Sequence, residues 1–164
     1  MSKTVSKRQH PVNRPARRPP RSGAGDAVSE LVVHVFRLNG LLIAVGDAMA
    51  EPSGQTSARW RVLAAIDETP LSVAQIARAW WLTRQSVQRV ADVLVKDGLA
   101  IYEPNPNHRR AKLVRITPAG LSALHEIRLR QRGWAESLGA QIGEAELRAA
   151  NATLTRMLET LTTS

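Results

Sequence analysis

Between residues 26 and 50, Leu31, Val32, Val35, Leu38, Leu42 and Val45 recur at the spacing that gathers side chains on one face of a helix. Gly40 and Gly46 interrupt the pattern, and Gly46 marks either a kink or a close crossing. Glu51-Pro52-Ser53-Gly54 is turn chemistry. A second helix is expected over residues 56–66, with Trp60, Leu63, Ala64 and Ile66 inward. The acid-rich turn Asp67-Glu68-Thr69-Pro70 closes it. Ser72-Val73-Ala74-Gln75 has the residues of a capping box, in which the serine hydroxyl accepts from one free N–H and the glutamine reaches back to another. Leu71 and Ile76 stand where a hydrophobic staple would join. That short helix ends near Ala79 or Trp80, and Thr83 caps the next, over residues 84–97. Val87, Val90, Ala91 and Leu94 form its inward stripe, and Gly98 stops it. Two helices joined by a turn of about four residues have the spacing of a helix-turn-helix.

The periodicity then changes. Two β-like runs, 99–103 and 111–116, flank Pro104-Asn105-Pro106-Asn107-His108-Arg109-Arg110, a connector too long for a tight hairpin. It reads as a projecting wing. Thr117-Pro118 opens another helix, with Leu121, Leu124, Ile127, Leu129 and Trp134, ending near Gly139. A last helix from about Gly143 carries Leu147, Ala150, Leu154, Met157, Leu158 and Leu161. The expected fold is mainly α with a small β-wing, in the order α-α-α-α-β-β-α-α.

Composition narrows the chemistry. The 164 residues contain no cysteine, which excludes disulfides, thiolate metal sites and thiol nucleophiles. The longest uncharged apolar run, 38–46, falls well short of the roughly 20 residues of a membrane helix. The first residues lack the apolar stretch of a signal peptide. A soluble, cytoplasmic protein with no membrane partner is expected. The net charge of +9 is uneven: Lys3, Lys7, Arg8, Arg14, Arg17, Arg18 and Arg21 precede the first acid, Asp26. Together with four prolines, they make residues 1–25 a basic tail expected to be disordered, either a solvated leader or an arm for phosphates. Residues 26–164 hold sixteen basic against fourteen acidic side chains.

Within that remainder the charge is concentrated. Residues 71–116 carry eight basic side chains and three acids. On the 84–97 helix, Arg84, Gln85, Gln88 and Arg89 lie opposite the apolar stripe, with Ser86 at the edge. Arginine and glutamine can read base edges with two hydrogen bonds, arginine to guanine and glutamine to adenine. Arg109, Arg110 and Lys112 add positive charge on the wing. Charge collects where a duplex would dock.

Leu71-Ser72-Val73-Ala74-Gln75-Ile76-Ala77, Leu82-Thr83-Arg84-Gln85-Ser86-Val87-Gln88-Arg89-Val90, the wing from Asn105 to Val114 and Thr117-Pro118-Ala119-Gly120 together resemble the MarR family of bacterial transcriptional regulators. The resemblance covers roughly residues 28–164. It implies a winged helix-turn-helix over about 56–117 and a homodimer held by terminal helices, about 26–51 and 118–164. It also implies a recognition helix in the major groove of double-stranded DNA and a wing against the minor groove. Two positions depart from the family pattern. His108 stands where the wing commonly has an Asp two residues before its key arginine, here Arg110, leaving Asn107 as the neutral acceptor to brace it. The turn between the paired helices, usually with a glycine, has Trp80-Trp81, and at least one of these is expected to enter the core or line a pocket beside the dimer helices.

Catalysis finds no support: the chain has no metalloprotease, nucleophile-elbow or phosphate-loop motif, and no cofactor is implied. The main expectation is a dimeric repressor that leaves a palindromic operator when a small apolar or aromatic effector binds between the dimer helices and the winged region. The alternatives are a structural protein that coats DNA through its basic tail, a winged helix used for protein contacts, and a metal-responsive regulator joining His34, His125 and Glu126 across a dimer.

Overall fold

The computed structural model of the chain describes residues 21–108 and 110–163. It divides into two compact units, one ending at Asn39 and one beginning at Gly40, so the boundary falls inside the first helix. That helix, α1 (Gly23–Ala50), starts three residues earlier than the apolar pattern indicated. The Ser22 hydroxyl accepts from the Gly25 N–H, and Asp26 sits in the first turn where a helix favours negative charge. Residues 1–20, most of the expected basic tail, lie outside the described residues.

The second unit continues with a single 3-10 turn, Glu51–Ser53, which Gly54 ends at φ +66°. Helix α2 (Ser57–Ala65) follows, then strand β1 (Leu71–Ser72), helices α3 (Val73–Ala79) and α4 (Arg84–Lys96), and strands β2 (Ala100–Glu103) and β3 (Leu113–Ile116). Helices α5 (Pro118–Ile142) and α6 (Glu144–Thr162) complete it. The three strands are antiparallel in the order β1-β3-β2. Strand β1 was not expected: it is two residues long, with Leu71 opposite Val114 and Ser72 opposite Leu113. A strand that short has no alternation to read.

The expected caps are present. Ser72 both ends β1 and closes the capping box of α3, where Gln75 N–H donates to its hydroxyl and its own N–H donates to Gln75 Oε1 at 2.8 Å. Thr83 accepts from Ser86 N–H at 3.1 Å to start α4. Gly98, at φ +73°, ends α4: its N–H reaches Val95 O, and Leu99 N–H reaches Leu94 O. This is the left-handed glycine stop that satisfies the last carbonyls.

One core serves the sheet and α2 through α5. Val62, Leu63 and Ile66 meet Ile76, Val87, Leu94, Val114 and Leu124 there, all nearly free of solvent. Each such aliphatic side chain contributes about 1.5–3 kcal/mol of burial. Two glycines permit close approaches. A Cβ on Gly46 would stand 3.0 Å from Ser57 Cβ, so this glycine marks a crossing of α1 over α2. A Cβ on Gly120 would lie 2.1 Å from Leu99 O, so α5 can begin against the root of the wing only with glycine there. Thr117 secures the same junction, its N–H donating to Leu99 O and its hydroxyl to Gly98 O.

Polar contacts fix the neighbouring elements. Asp47 accepts from Ser57 N–H at 2.7 Å, a bond that holds its carboxyl below the usual range. Arg130 on α5 donates to Met49 O and to the Ser53 hydroxyl, which in turn donates to Glu126. Arg128 pairs with Asp67 at 2.6 Å, so that turn acid is held rather than merely solvated.

Apolar residues on the terminal helices remain uncovered. On α1, Val28, Val32, Val35, Phe36, Leu42 and Ile43 are exposed; on α6, Leu154, Leu158 and Leu161 are exposed at helical spacing. Counting only uncharged runs also underestimated α1. Isolated charges such as Arg37 interrupt it, yet Gly23–Ser53 is long and apolar enough to cross a membrane by length and composition.

Candidate nucleic-acid interface

Helix α4 presents the expected face. Val87, Ala91 and Leu94 are buried, whereas Arg84, Gln85, Ser86, Gln88 and Arg89 are exposed. Five of the expected site residues border one open groove of about 630 Å³: Arg84, Gln85 and Gln88 from α4, and Arg110 and Lys112 from the wing. Ser72, Val73 and Ala74 at the start of α3 also line it. Ser86 and Arg89 lie on the same helix but do not line this groove. Arg109 lies outside the described residues. The groove thus gathers guanidinium, ammonium and amide groups around a small-residue wall, an arrangement suited to phosphates and base edges.

Tyr102 is the site residue that the sequence reading missed. It lies two positions after buried Ala100 on β2, so period-two alternation puts both on the side facing α4. Its hydroxyl donates to Asp92 Oδ1 at 2.6 Å, and Gln88 Nε2 donates to both Asp92 Oδ1, at 2.8 Å, and the Tyr102 oxygen, at 2.7 Å. Burial, then the hydrogen bond and charge of Asp92, push the phenol up to about 12. The same bonds, that from Tyr102 foremost, hold the Asp92 carboxyl below its ordinary value. Lys112 Nζ stands 5.9 Å from the Tyr102 ring centre, within cation–π range. At the root of the wing, Arg115 grips Glu103 with two bonds of 2.6 and 3.0 Å. The wing is therefore tied to α4 at one point and braced across its own strands at another.

Two expectations change. Asn107 does not brace Arg110 through its side chain among the described residues; its N–H instead donates to Asn105 Oδ1 at 2.9 Å, a local turn that shapes the loop tip. Neither tryptophan enters the core: Trp80 is 43% exposed and Trp81 77%. Leu82 takes the inward position, its N–H bonded to Ala77 O, which turns the two rings outward. Trp81 adopts φ +52°, a left-handed conformation that is uncommon and strained for a large side chain. It borders a hollow shared with Arg78, Leu82 and Arg84 beside the start of α4, not beside the terminal helices. Among the described residues, no group of three or more His, Asp or Glu side chains is placed to hold a metal.

The sequence profile of the MarR family matches residues 53–111. An uncharacterized protein of Mycobacterium tuberculosis is 39% identical over 136 residues, covering 83% of this chain and 95% of that protein. Two solved structures are also similar. Staphylococcus aureus MarR in complex with salicylate and kanamycin matches with a TM-score of 0.73 at 14% identity, covering 84% of this chain and 94% of that one. The Mycobacterium tuberculosis transcriptional regulator MosR in complex with DNA matches at 0.65 and 24% identity, over 79% and 96%. At these identities the two structures establish a shared fold.

Proposed function

This chain belongs to the MarR family, and we propose that it is a sequence-specific, homodimeric DNA-binding regulator rather than an enzyme. The observation that carries the reading is the basic groove between α4 and the wing, where Arg84, Gln85, Gln88, Arg110 and Lys112 converge. In this reading α4 enters the major groove, with Arg84, Gln85, Gln88 and Arg89 at base edges and Ser86 beside them. Arg109, Arg110 and Lys112 meet phosphates along the wing. MosR, which shares the fold, is solved on DNA, and this supports the assignment.

The uncovered apolar stripes of α1 and α6 support the dimer, because a second copy covers them without any membrane. Two copies present their recognition helices about 34–36 Å apart, one turn of duplex, and so select a palindrome. The regulator is proposed to act in the cytoplasm as a repressor, released by a small aromatic or apolar effector between the dimer helices and the winged region. The salicylate complex of Staphylococcus aureus MarR supports a ligand of that class. An effector that favours another helix separation by a few kcal/mol suffices for release. The basic tail supplies additional phosphate contacts.

Selection of bound sites from random duplexes, followed by footprinting, tests the proposal. A short protected palindrome is expected. Broad protection without a motif indicates a coating protein and overturns the reading.

A further inference from the structure

We propose that the DNA surface extends past the wing groove onto α3, where Arg78 meets a backbone phosphate and the Trp81 ring packs on the adjoining sugar. The inference rests on the DNA-binding reading and adds two contacts to it. Continuity of the surface is the first support. Ala74, Arg78, Trp81 and Arg84 line a hollow of about 600 Å³. Ala74 and Arg84 also border the groove that holds Gln85, Gln88, Arg110 and Lys112. Arg78 and Arg84 face the loop tip at Asn107 and His108 across a second hollow. One surface therefore runs from the wing, past the first turn of α4, to the tryptophan.

Charge is the second. Arg59, Arg115, Arg128 and Arg148 each pair with a carboxylate. Among the described residues, neither Arg78 nor Arg84 has an acid within ion-pairing distance, and both are exposed. Open positive charge beside an apolar ring suits a DNA strand, in which anionic phosphates alternate with sugars.

Strain is the third. Trp81 holds φ +52° and leaves 77% of its surface in solvent, so burial within the chain does not offset the backbone cost. Glycine would hold that turn without penalty. A ring kept there gains its burial only when a partner covers it. In a seated helix-turn-helix the first helix crosses the DNA backbone, and α3, which ends at Ala79, delivers the chain to Trp81. Backbone contacts position a protein without reading sequence. Arg78 and Trp81 therefore strengthen binding to every duplex and leave base choice to α4.

Titrations of the full chain, Arg78→Gln, Trp81→Gly and Trp81→Asn test this, on the selected site and on a random duplex across a salt series. Glycine and asparagine both accept the left-handed backbone, so these two variants remove the ring and keep the turn. Each should fold at least as stably as the wild type and yet bind both duplexes about tenfold more weakly. Arg78→Gln should lower the slope of log affinity against log salt by about one. The inference is overturned if either Trp81 variant binds both duplexes within about twofold of the wild type. A loss confined to the selected site, or an unchanged slope for Arg78→Gln, overturns it too. So does lower stability in both Trp81 variants, which would make the ring part of the fold, or weaker self-association, which would give the patch to a second copy. Failure of the wild type to bind any duplex instead removes the DNA-binding reading itself, and this inference with it.

Discussion

The winged region and the terminal helices solve the burial problem differently. From α2 to the start of α5, the apolar stripes converge on a shared core, and caps satisfy the helix starts at Thr56, Ser72, Thr83 and Thr117. By contrast, α1 and α6 carry long apolar faces that the single chain leaves open, including Phe36 at 73% and Leu161 at 73% exposure. The first region is complete as one chain. The others have a composition that calls for a covering partner, so damage to the two should look different: loss of folding in one case, loss of association in the other.

The largest effect is expected inside the self-contained part. Gly120→Ala drives a methyl into the Leu99 carbonyl, and the forced shift should cost about 3 kcal/mol, read as a large fall in thermal midpoint. Phe36→Glu, on the open face of α1, should instead leave the winged region folded and weaken self-association by about 2 kcal/mol. Sedimentation velocity across a concentration series measures it; an unchanged stoichiometry would remove the Phe36 face from the proposed dimer seam. Arg89→Ala alters neither packing, because the side chain is exposed. It should cost about 1–2 kcal/mol at the selected operator and much less on random duplex. Equal losses on both would move Arg89 from base reading to phosphate contact.

Trp81→Gly works in the opposite sense. It removes a left-handed tryptophan that buries little, and should stabilise the winged region by about 0.5–1 kcal/mol in chemical denaturation. The smallest effect lies in pH. Tyr102 is the chain's single tyrosine, so phenolate absorbance reports it alone, with an expected midpoint of about 12. Its folded value is raised above that of the free side chain. Its contribution to stability is therefore complete below pH 10 and is lost as pH rises through about 12. Asp92→Asn should bring the midpoint down, since the carboxylate both accepts from the phenol and repels the phenolate.

The sequence made the local features legible. Ser72 with Gln75, Thr83, Gly98 and Thr117-Pro118 each act on backbone groups a few residues away, so their residue types announce their work. What escaped depends on distant partners. Strand β1 exists only because Val114 and Leu113 lie beside it, forty residues on. The need for glycine at 120 comes from the carbonyl of Leu99. Tyr102 looked like one more strand residue until α4 brought Gln88 and Asp92 to its hydroxyl. The tryptophan pair misled for the same reason: a bulky apolar residue suggests a core, but Leu82 had already taken the inward place.

The junction of Thr117 and Gly120 with Leu99 has a mechanical consequence. Helix α5 is 25 residues long, a rod of about 37 Å with one end fixed against Leu99 at the root of the wing. A tilt of about 5° about that anchor swings the opposite tip through roughly 3 Å. Read in reverse, a modest push on the far end becomes leverage on the strands beside α4.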